Sequence, residues 1–196
     1  MKCRTAPPVT QSGFALMTSL LLLMIMTIIA LAMFRSFGTQ EHIAGNLREK
    51  DRALHAATSA QQYAEWWLLQ GTNSAVGAVA CAAGTLSANA GEGQICNQTL
   101  AQFYGVQTVP TTLPWAIQTT YLPTGMSVTA GVPGANNDPP YAATPAFYVS
   151  DLGPSADGQG EAYMIDAYGY GGATASVAVV ESTYEVQQGV VNRSGL

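Results

Sequence analysis

Residues 14–34 read FALMTSLLLLMIMTIIALAMF, and this run of 21 positions contains no charged side chain. A helix of about 20 apolar residues is long enough to cross the hydrocarbon core of a bilayer. A short polar leader precedes the run, carries Lys2 and Arg4, and ends at Gly13. The sequence therefore predicts a leader over residues 1–13 and a transmembrane helix over residues 14–34.

The apolar run is compatible with three kinds of segment. The first is an ordinary single-pass anchor, in which Gly13 has no special role. The second is a secretory signal, because Ala30-Leu31-Ala32 offers the small-residue site that signal peptidase uses. The run is, however, longer than the apolar region of about 7–15 residues that is usual in such signals. The third is a segment processed at Gly13, which the glycine boundary favours.

The residues around Gly13 support the third interpretation. Residues 11–18 read QSGFALMT, which resembles the processing site of a type IV prepilin. In that family a membrane peptidase cuts after the glycine on the cytoplasmic side and leaves the apolar segment on the mature protein. The resemblance implies cleavage between Gly13 and Phe14 and methylation of the new amino group of Phe14.

Charge counting and cysteine content give opposite answers about where the C-terminal part of the chain lies. The positive-inside rule weighs Lys2 and Arg4 against four basic residues that follow the run, and this argues against export. The cysteines favour export, because Cys3 lies in the leader and the other two, Cys81 and Cys96, can form one disulfide in an oxidising compartment. Closing that loop would stabilise the fold by about 3 kcal/mol.

The segment after the apolar run is predicted to continue the helix. Residues 39–70 contain no proline and are rich in helix-forming residues. Apolar residues recur there at spacings of three, four and seven, which predicts one buried stripe. The predicted stripe consists of Leu47, Leu54, Ala57, Ala64 and Leu68, and the predicted polar face of Glu49, Asp51, Arg52 and Gln62. We therefore expect residues 35–70 to form an amphipathic continuation of the transmembrane helix.

This second half of the helix carries a more specific resemblance. Residues 40–48 read QEHIAGNLR and residues 53–57 read ALHAA, which is similar to the helix of PilX-type minor pilins. The resemblance extends over roughly residues 13–69 and returns more weakly near the C-terminus. It implies a pilin-like α+β fold, in which a long N-terminal helix packs on a small antiparallel β-sheet. It also implies that this helix packs into a filament core while the C-terminal domain faces outward.

Thr18 departs from the common pilin pattern. Most pilins carry a glutamate as the fifth residue after the cleavage site, where it is thought to neutralise the free amine of a neighbouring subunit, since an uncompensated buried charge is costly. A subunit with Thr18 can offer its own amine at Phe14 but cannot receive one. This favours a position at the filament end. The alternative is that Thr18 only bonds a backbone carbonyl or packs between helices.

The part beyond the helix, residues 71–196, is predicted to form one β-rich globular domain outside the inner membrane. Removing Lys2 and Arg4 leaves five basic and twelve acidic residues, a net charge of −7 (5 − 12). The resulting negative field disfavours nucleic acid as a partner. The predicted strands are residues 115–121, 126–130, 146–152, 161–168 and 176–186, and the predicted loops are residues 71–94 and 131–140.

Motifs for catalysis are missing from the sequence. The only histidines, His42 and His55, lie on the predicted helix, and no nucleophile elbow, phosphate loop or zinc-protease motif is present. We expect no enzyme activity, no cofactor and no small-molecule substrate. One calcium candidate consists of Asp151, Asp157 and Glu161 on a glycine-rich turn, for which a plain solvated turn is the simpler interpretation.

The resulting prediction is a minor pilin that acts in assembly and priming of a type IV pilus near the filament tip. The resemblance implies that its partners are other minor pilins, the major pilin, the prepilin peptidase and the inner-membrane assembly platform. Its expected location is the inner membrane and then the pilus, and effects on twitching or adhesion would follow from fibre formation. Two alternatives remain open: a minor pseudopilin of a type II secretion system, similar to the GspK family, and an exposed adhesion module.

Overall fold

The chain divides into two compact units, of which the first ends at Gly45 and the second begins at Asn46. The computed structural model describes residues 12–70, 73–86 and 93–187. The predicted leader therefore lies outside the described residues except at its last two positions. Helix α1, Ser12–Leu68, is 57 residues long and contributes to both units.

The first unit is the N-terminal part of α1. Its large apolar side chains between Phe14 and Phe37 are exposed. Ser19 and Thr27 donate their hydroxyl protons to carbonyl oxygens of the preceding turn, at 2.9 and 2.7 Å. These hydroxyls are therefore satisfied within the helix, which suits an apolar environment. Among the described residues, α1 alone is long and apolar enough to cross a membrane, judged by length and composition.

The second unit contains a six-stranded mixed sheet. Its strands are β1 (Gly84–Thr85), β2 (Ile95–Cys96), β3 (Ile117–Thr120), β4 (Ala146–Pro154), β5 (Gly160–Tyr170) and β6 (Val177–Gln187). The strand order is β1-β3-β4-β5-β6, and β2 pairs with β4 on the edge that it also offers to β3. The pairs from β3 to β6 are antiparallel, whereas β1 and β2 pair in parallel with β3 and β4. The expected α+β class, a long helix on a small sheet, is confirmed, but the sheet is mixed and not antiparallel throughout, because the short strands β1 and β2 pair in parallel.

The sheet separates two apolar cores. The core on the α1 side consists of Ala60, Ala64, Trp67, Leu68, Ile95, Phe147, Val149, Tyr163, Ile165, Ala167 and Val186. The core on the opposite face consists of Cys81, Cys96, Leu100, Trp115, Ile117, Ala146, Tyr148, Tyr168 and Tyr170. Because successive side chains of a strand point to opposite faces, β5 supplies Ile165 and Ala167 to the first core and Tyr168 and Tyr170 to the second.

The buried face of α1 is an alanine face, and the predicted leucine stripe was wrong in part. The alanines at most 1% exposed are Ala53, Ala56, Ala57, Ala60 and Ala64. Leu47 and Leu54 of the predicted stripe are 65% and 46% exposed, and Arg52 of the predicted polar face is only 8% exposed. The physical reason is that small side chains let the helix backbone approach the sheet closely, a benefit that a hydrophobicity pattern does not register.

Gly169 of β5 is the sheet residue that meets this alanine face. A Cβ atom added at Gly169 would lie 2.5 Å from the backbone nitrogen of Ala57, 2.6 Å from Cβ of Ala56 and 2.8 Å from the carbonyl oxygen of Ala53. Cβ atoms essentially never approach other heavy atoms closer than 3.0 Å. The glycine and the alanines therefore set the distance between α1 and the sheet together.

Residues 126–130, predicted as a strand, form turns instead. Gly125 and Gly131 flank the segment with φ angles of +86° and +76°. The backbone N–H of Met126 donates to the carbonyl of Pro123 at 3.0 Å, closing a turn at the first end. A segment this short, reversed at both ends, cannot extend along a neighbouring strand. The other predicted strands overlap β3, β4, β5 and β6.

A short helix that the sequence analysis did not predict, α2 (Leu100–Tyr104), follows β2. The Thr99 hydroxyl accepts from the backbone N–H of Gln102 at 3.2 Å, and the Gln102 side chain accepts from the backbone N–H of Thr99 at 2.8 Å. These two bonds form a reciprocal capping box at the start of α2. The helix ends at Gly105, which adopts the left-handed conformation. The signal, Thr-x-x-Gln before a glycine, is readable in the sequence.

Cys81 and Cys96 are joined by a disulfide, with their Cα atoms 5.4 Å apart. Cys96 belongs to β2 and is fully buried in the second core. Near Cys81, the described residues contact the sheet through an isolated parallel bridge between Val79 and Cys96 and through the two-residue strand β1. The disulfide is therefore the main covalent restraint on a part of the domain that has few strand hydrogen bonds.

Removing the disulfide in a Cys81→Ala/Cys96→Ala double variant should lower the free energy of unfolding by about 2 to 3 kcal/mol. The unfolded chain regains the entropy of the opened loop. Urea unfolding of the detergent-solubilised protein measures the change, and wild-type protein in reductant is the matched comparison. A difference within about 0.5 kcal/mol, the range of ordinary surface substitutions, would contradict this expectation.

Candidate assembly surfaces

The first turns of α1 present an unbroken apolar surface. Its most N-terminal large side chains, Phe14, Leu16, Met17, Leu20 and Leu21, are 61–74% exposed. No charged residue occurs between positions 13 and 34. None of the described residues buries this surface, and its exposure in water would be unfavourable. The helix therefore needs an apolar partner, either lipid or the helices of other proteins.

Thr18 sits in the middle of this surface and brings no charge to it. Its Oγ1 lies 3.1 Å from the carbonyl oxygen of Phe14 and 3.0 Å from that of Ala15. The hydroxyl proton is therefore shared between two acceptors of its own helix. At this position the chain offers a satisfied neutral hydroxyl, which cannot neutralise a cationic amine.

At the start of the second unit, Arg52 fixes a loop to α1. Its guanidinium lies 3.1 Å from Glu49 Oε1, donates to the carbonyl oxygen of Pro139 at 2.5 Å, and lies 3.8 Å from Asp138 Oδ2. The Arg52 Cζ atom is 4.3 Å from the centre of the Tyr141 ring, within the range of a cation–π contact. One helical arginine thus holds a loop that is far away in the sequence.

Glu49 and Lys50 fix the turn between β5 and β6 to the same helix. The backbone N–H of Gly172 donates to the Glu49 carboxylate, and this bond, together with Arg52, lowers the pKa of Glu49. Lys50 Nζ donates to the carbonyl oxygen of Val177 at 2.9 Å. Three neighbouring positions of α1 therefore position both the loop at Pro139 and the first residue of β6.

Comparison with protein-family models finds a match over the N-terminal helix. Residues 12–65 match the family model PilX N-terminal. Over this helix the chain is similar to PilX-family type IV pilins. The match covers 54 of 196 residues and ends before the sheet. No curated protein and no solved structure matches the chain. PilX-family pilins are structural proteins, and the similarity implies association with other pilus components.

The protein exposes a second apolar surface between α1 and β6, within its second unit. The residues that line this shallow groove are Leu47, Lys50, Asp51, Leu54, Val177, Ala178 and Val179. β6 is the last strand of the sheet, so its outer edge is unpaired among the described residues. The two leucines that the sequence analysis assigned to the core therefore line an open groove.

Aromatic residues at the end of α1 divide between core and surface. Trp67 is 4% exposed and packs in the core against the sheet, whereas Trp66 is 52% exposed. The rings of Tyr63 and Tyr121 are stacked with their centres 4.1 Å apart, and Trp66 lies 5.4 Å from Tyr63. The two tryptophans thus differ in burial as expected for neighbours on a helix, whose side chains point about 100° apart.

The acidic turn is built from hydrogen bonds within the hairpin. Asp151 Oδ1 accepts from the backbone N–H of Gly153 at 2.8 Å. Asp157 Oδ1 accepts from the Ser155 hydroxyl at 2.5 Å and from a backbone N–H, and these bonds lower the pKa of Asp157. Glu161 lies farther along, in β5. No group of three or more His, Cys, Asp or Glu side chains suited to a metal occurs in the described ranges.

The sequence analysis missed the two contacts that organise the second unit. Arg52 was assigned to a solvent-facing surface, because a charged residue on an amphipathic helix is usually exposed. The predicted strand over residues 161–168 stopped before Gly169, although Gly169 lies inside β5. Only the cluster of glycines at residues 169–172 signalled a close backbone approach, and it did not identify the partner. His55, in contrast, is exposed as expected, 3.6 Å from Asp51.

Proposed function

We propose that this protein is a minor pilin of the PilX family that takes part in assembly and priming of a type IV pilus, at or near the filament tip. The observation that carries the proposal is the state of Thr18. Its hydroxyl is bonded to the helix backbone, so the surface around it has apolar contacts to offer but no carboxylate. A subunit of this kind can be the end of a stack of helices.

Assembly is driven by packing. After cleavage between Gly13 and Phe14, the apolar half of α1 anchors the protein in the inner membrane with the second unit in the periplasm. Leaving the bilayer then exchanges lipid contacts for contacts with the helices of other pilins, so the apolar surface stays out of water throughout. The partners are other minor pilins and the major pilin, together with the prepilin peptidase and the inner-membrane assembly platform.

The end position follows from electrostatics. In the family pattern a carboxylate neutralises the amine of the neighbouring subunit, and an amine buried without a partner is unfavourable by several kcal/mol. Thr18 leaves such an amine without a counter-ion. The filament is therefore more stable when this subunit lies at the end, where it receives no amine from another subunit. Its own amine at Phe14 can still reach a carboxylate of another pilin.

Deleting the protein from its bacterium should abolish or strongly reduce surface fibres. Returning the wild-type gene should restore them, whereas a Gly13→Val variant, which places a branched side chain at the cleavage site, should not. Electron microscopy counts the fibres, and a membrane immunoblot verifies that the variant is made. Immunogold labelling of restored fibres should mark their ends.

Three other results would contradict the proposal in different ways. Lost secretion with intact fibres would identify a pseudopilin of a type II secretion system. Intact fibres with lost attachment would identify an adhesion module.

Processing is tested by the intact mass of the protein recovered from membranes, which should lack residues 1–13 and carry one added methyl group. A mature chain that begins at Met33 would identify an ordinary secretory signal.

A further inference from the structure

Asp166 is a fully buried carboxyl group in the middle of β5. Its exposed fraction is 0%, and neither carboxyl oxygen has a hydrogen-bond partner among the described residues. It lies on the face of the sheet away from α1, since its neighbours Ile165 and Ala167 belong to the core on the helix side. A buried carboxylate without partners is strongly unfavourable in its charged form.

Among the described residues, the groups that face Asp166 carry no positive charge. The register places Glu181 of β6 directly opposite on one side and Tyr148 of β4 on the other. The Tyr148 hydroxyl donates to the carbonyl oxygen of Gln98 at 2.8 Å and is therefore already engaged. The loop that carries Gln98 has no titratable side chain at residues 97–99. The ion pairs of the described residues lie elsewhere, at Arg52 and His55 on α1.

The buried Asp166 and the exposed Glu181 therefore lie opposite each other on adjacent strands, and no counter-ion lies beside them in the part of the chain that the structure describes. Like charges directly opposite each other in an antiparallel pair are destabilising. Burial, and next the negative charge of Glu181, raise the pKa of Asp166 from its ordinary 3.8 to about 7. Protonation of Asp166 removes both the unfavourable desolvation and the repulsion at once.

We propose that Asp166 and Glu181 form a pH-sensitive switch that controls the pairing of β6 with β5. When Asp166 is protonated, the two strands pair throughout their length. When Asp166 loses its proton, the charge is relieved by separating Glu181 from it, and this requires β6 to move.

β6 is the element that can yield, because it lies at the edge of the sheet. β5 is held on both sides, by β4 and by β6, whereas β6 pairs only with β5. The Lys50 contact to Val177 holds the beginning of β6 to α1, four residues before Glu181. Opening is therefore expected from Glu181 toward Gln187, at the end remote from that contact.

The sign of the pH dependence follows from proton uptake. The folded state binds a proton at Asp166 with a pKa of about 7, whereas the unfolded state binds it near 3.8. Between these values the folded state holds more protons, so its stability is full below about pH 4, falls as the pH rises toward 7, and is constant above. The equilibrium constant for opening β6 should rise by about tenfold per pH unit in the middle of that window.

Hydrogen exchange of the full-length protein in detergent tests the switch. Exchange of the β6 backbone amides is followed by mass spectrometry from pH 5 to pH 8 and corrected for the intrinsic pH dependence of exchange. In the wild type the corrected rate should rise by about 50-fold between pH 5 and pH 7. In Asp166→Asn, which keeps the shape and removes the charge, it should stay flat and low.

Two further variants keep the result decisive. Glu181→Gln leaves Asp166 in place and removes the opposing charge, which lowers the pKa of Asp166 in the folded state, so the rise should level off at a lower pH and be smaller in total. Glu185→Gln removes an exposed carboxylate of the same strand and should leave the wild-type profile unchanged. A flat wild-type profile, or a rise in Asp166→Asn as steep as in the wild type, would overturn the proposal. If Asp166→Asn does not fold, an unshifted profile in Glu181→Gln would overturn it.

Discussion

Replacing Gly169 by valine should destabilise the second unit by about 3 kcal/mol or more. The added Cβ alone would lie within 2.5 to 2.8 Å of Ala57, Ala56 and Ala53, and two of those three contacts are to backbone atoms of α1. Backbone atoms cannot rotate away as the end of a flexible side chain can, so helix and sheet must separate. Overpacking of this kind costs about 1–3 kcal/mol when side chains can adjust and more when the backbone has to move.

Urea unfolding of the detergent-solubilised protein measures the effect through the fluorescence of Trp67 and Trp115, which are buried on opposite faces of the sheet. Gly169→Ala should give a smaller loss in the same direction. Gly45→Ala is the matched control, because an added Cβ there meets nothing within 4 Å and alanine favours helix by about 1 kcal/mol. If Gly169→Val were as stable as Gly45→Ala, the close packing of α1 on β5 would be refuted.

Replacing Arg52 by methionine should lower the free energy of unfolding by about 1.5 to 3 kcal/mol. Methionine keeps the length and apolar character of the side chain, so the loss reports the guanidinium. The variant leaves Glu49 without its arginine and the carbonyl of Pro139 without a donor, and it removes the contact above the Tyr141 ring. Because Arg52 is itself only 8% exposed and binds several acceptors, the loss should exceed that of a surface ion pair.

Arg48→Met is the matched control, since Arg48 lies on the same helix and is exposed. It should change the free energy of unfolding by no more than about 0.5 kcal/mol. Limited proteolysis gives a second readout, because cleavage in the loop at Pro139 should speed up in Arg52→Met and not in Arg48→Met. Equal stability of the two variants would show that Arg52 does not hold the loop.

The helix and its family were readable from local sequence. An uncharged run over residues 14–34 can be satisfied only by a helix in an apolar environment, and this holds whatever the rest of the chain does. The sequence QEHIAGNLR and the alanines after it are likewise local, and the family match over residues 12–65 covers the same region. Strands β4, β5 and β6 were found because each is long enough to show its own pattern.

The packing face of α1 was not readable in this way. The sequence rule weighs each residue by its own hydrophobicity, so it selected Leu47 and Leu54 over Ala53 and Ala56. The choice between them was made by Gly169, more than 100 positions away, which accepts only a small side chain opposite it. Arg52 was assigned wrongly for the same reason. It is buried by a loop that is distant in the sequence, and the sequence of the helix carries no information on where that loop lies.

What the sequence determined by itself is the apolar rod at the N-terminus, its length and the absence of charge at Thr18, because these depend on neighbouring residues alone. What only the tertiary structure decided is which side of the rod meets the sheet, where Arg52 finds its partners, and that Asp166 lies opposite Glu181. Those features depend on contacts between distant segments. The free energy of such a contact is determined by both residues together, so it cannot be read from either residue alone.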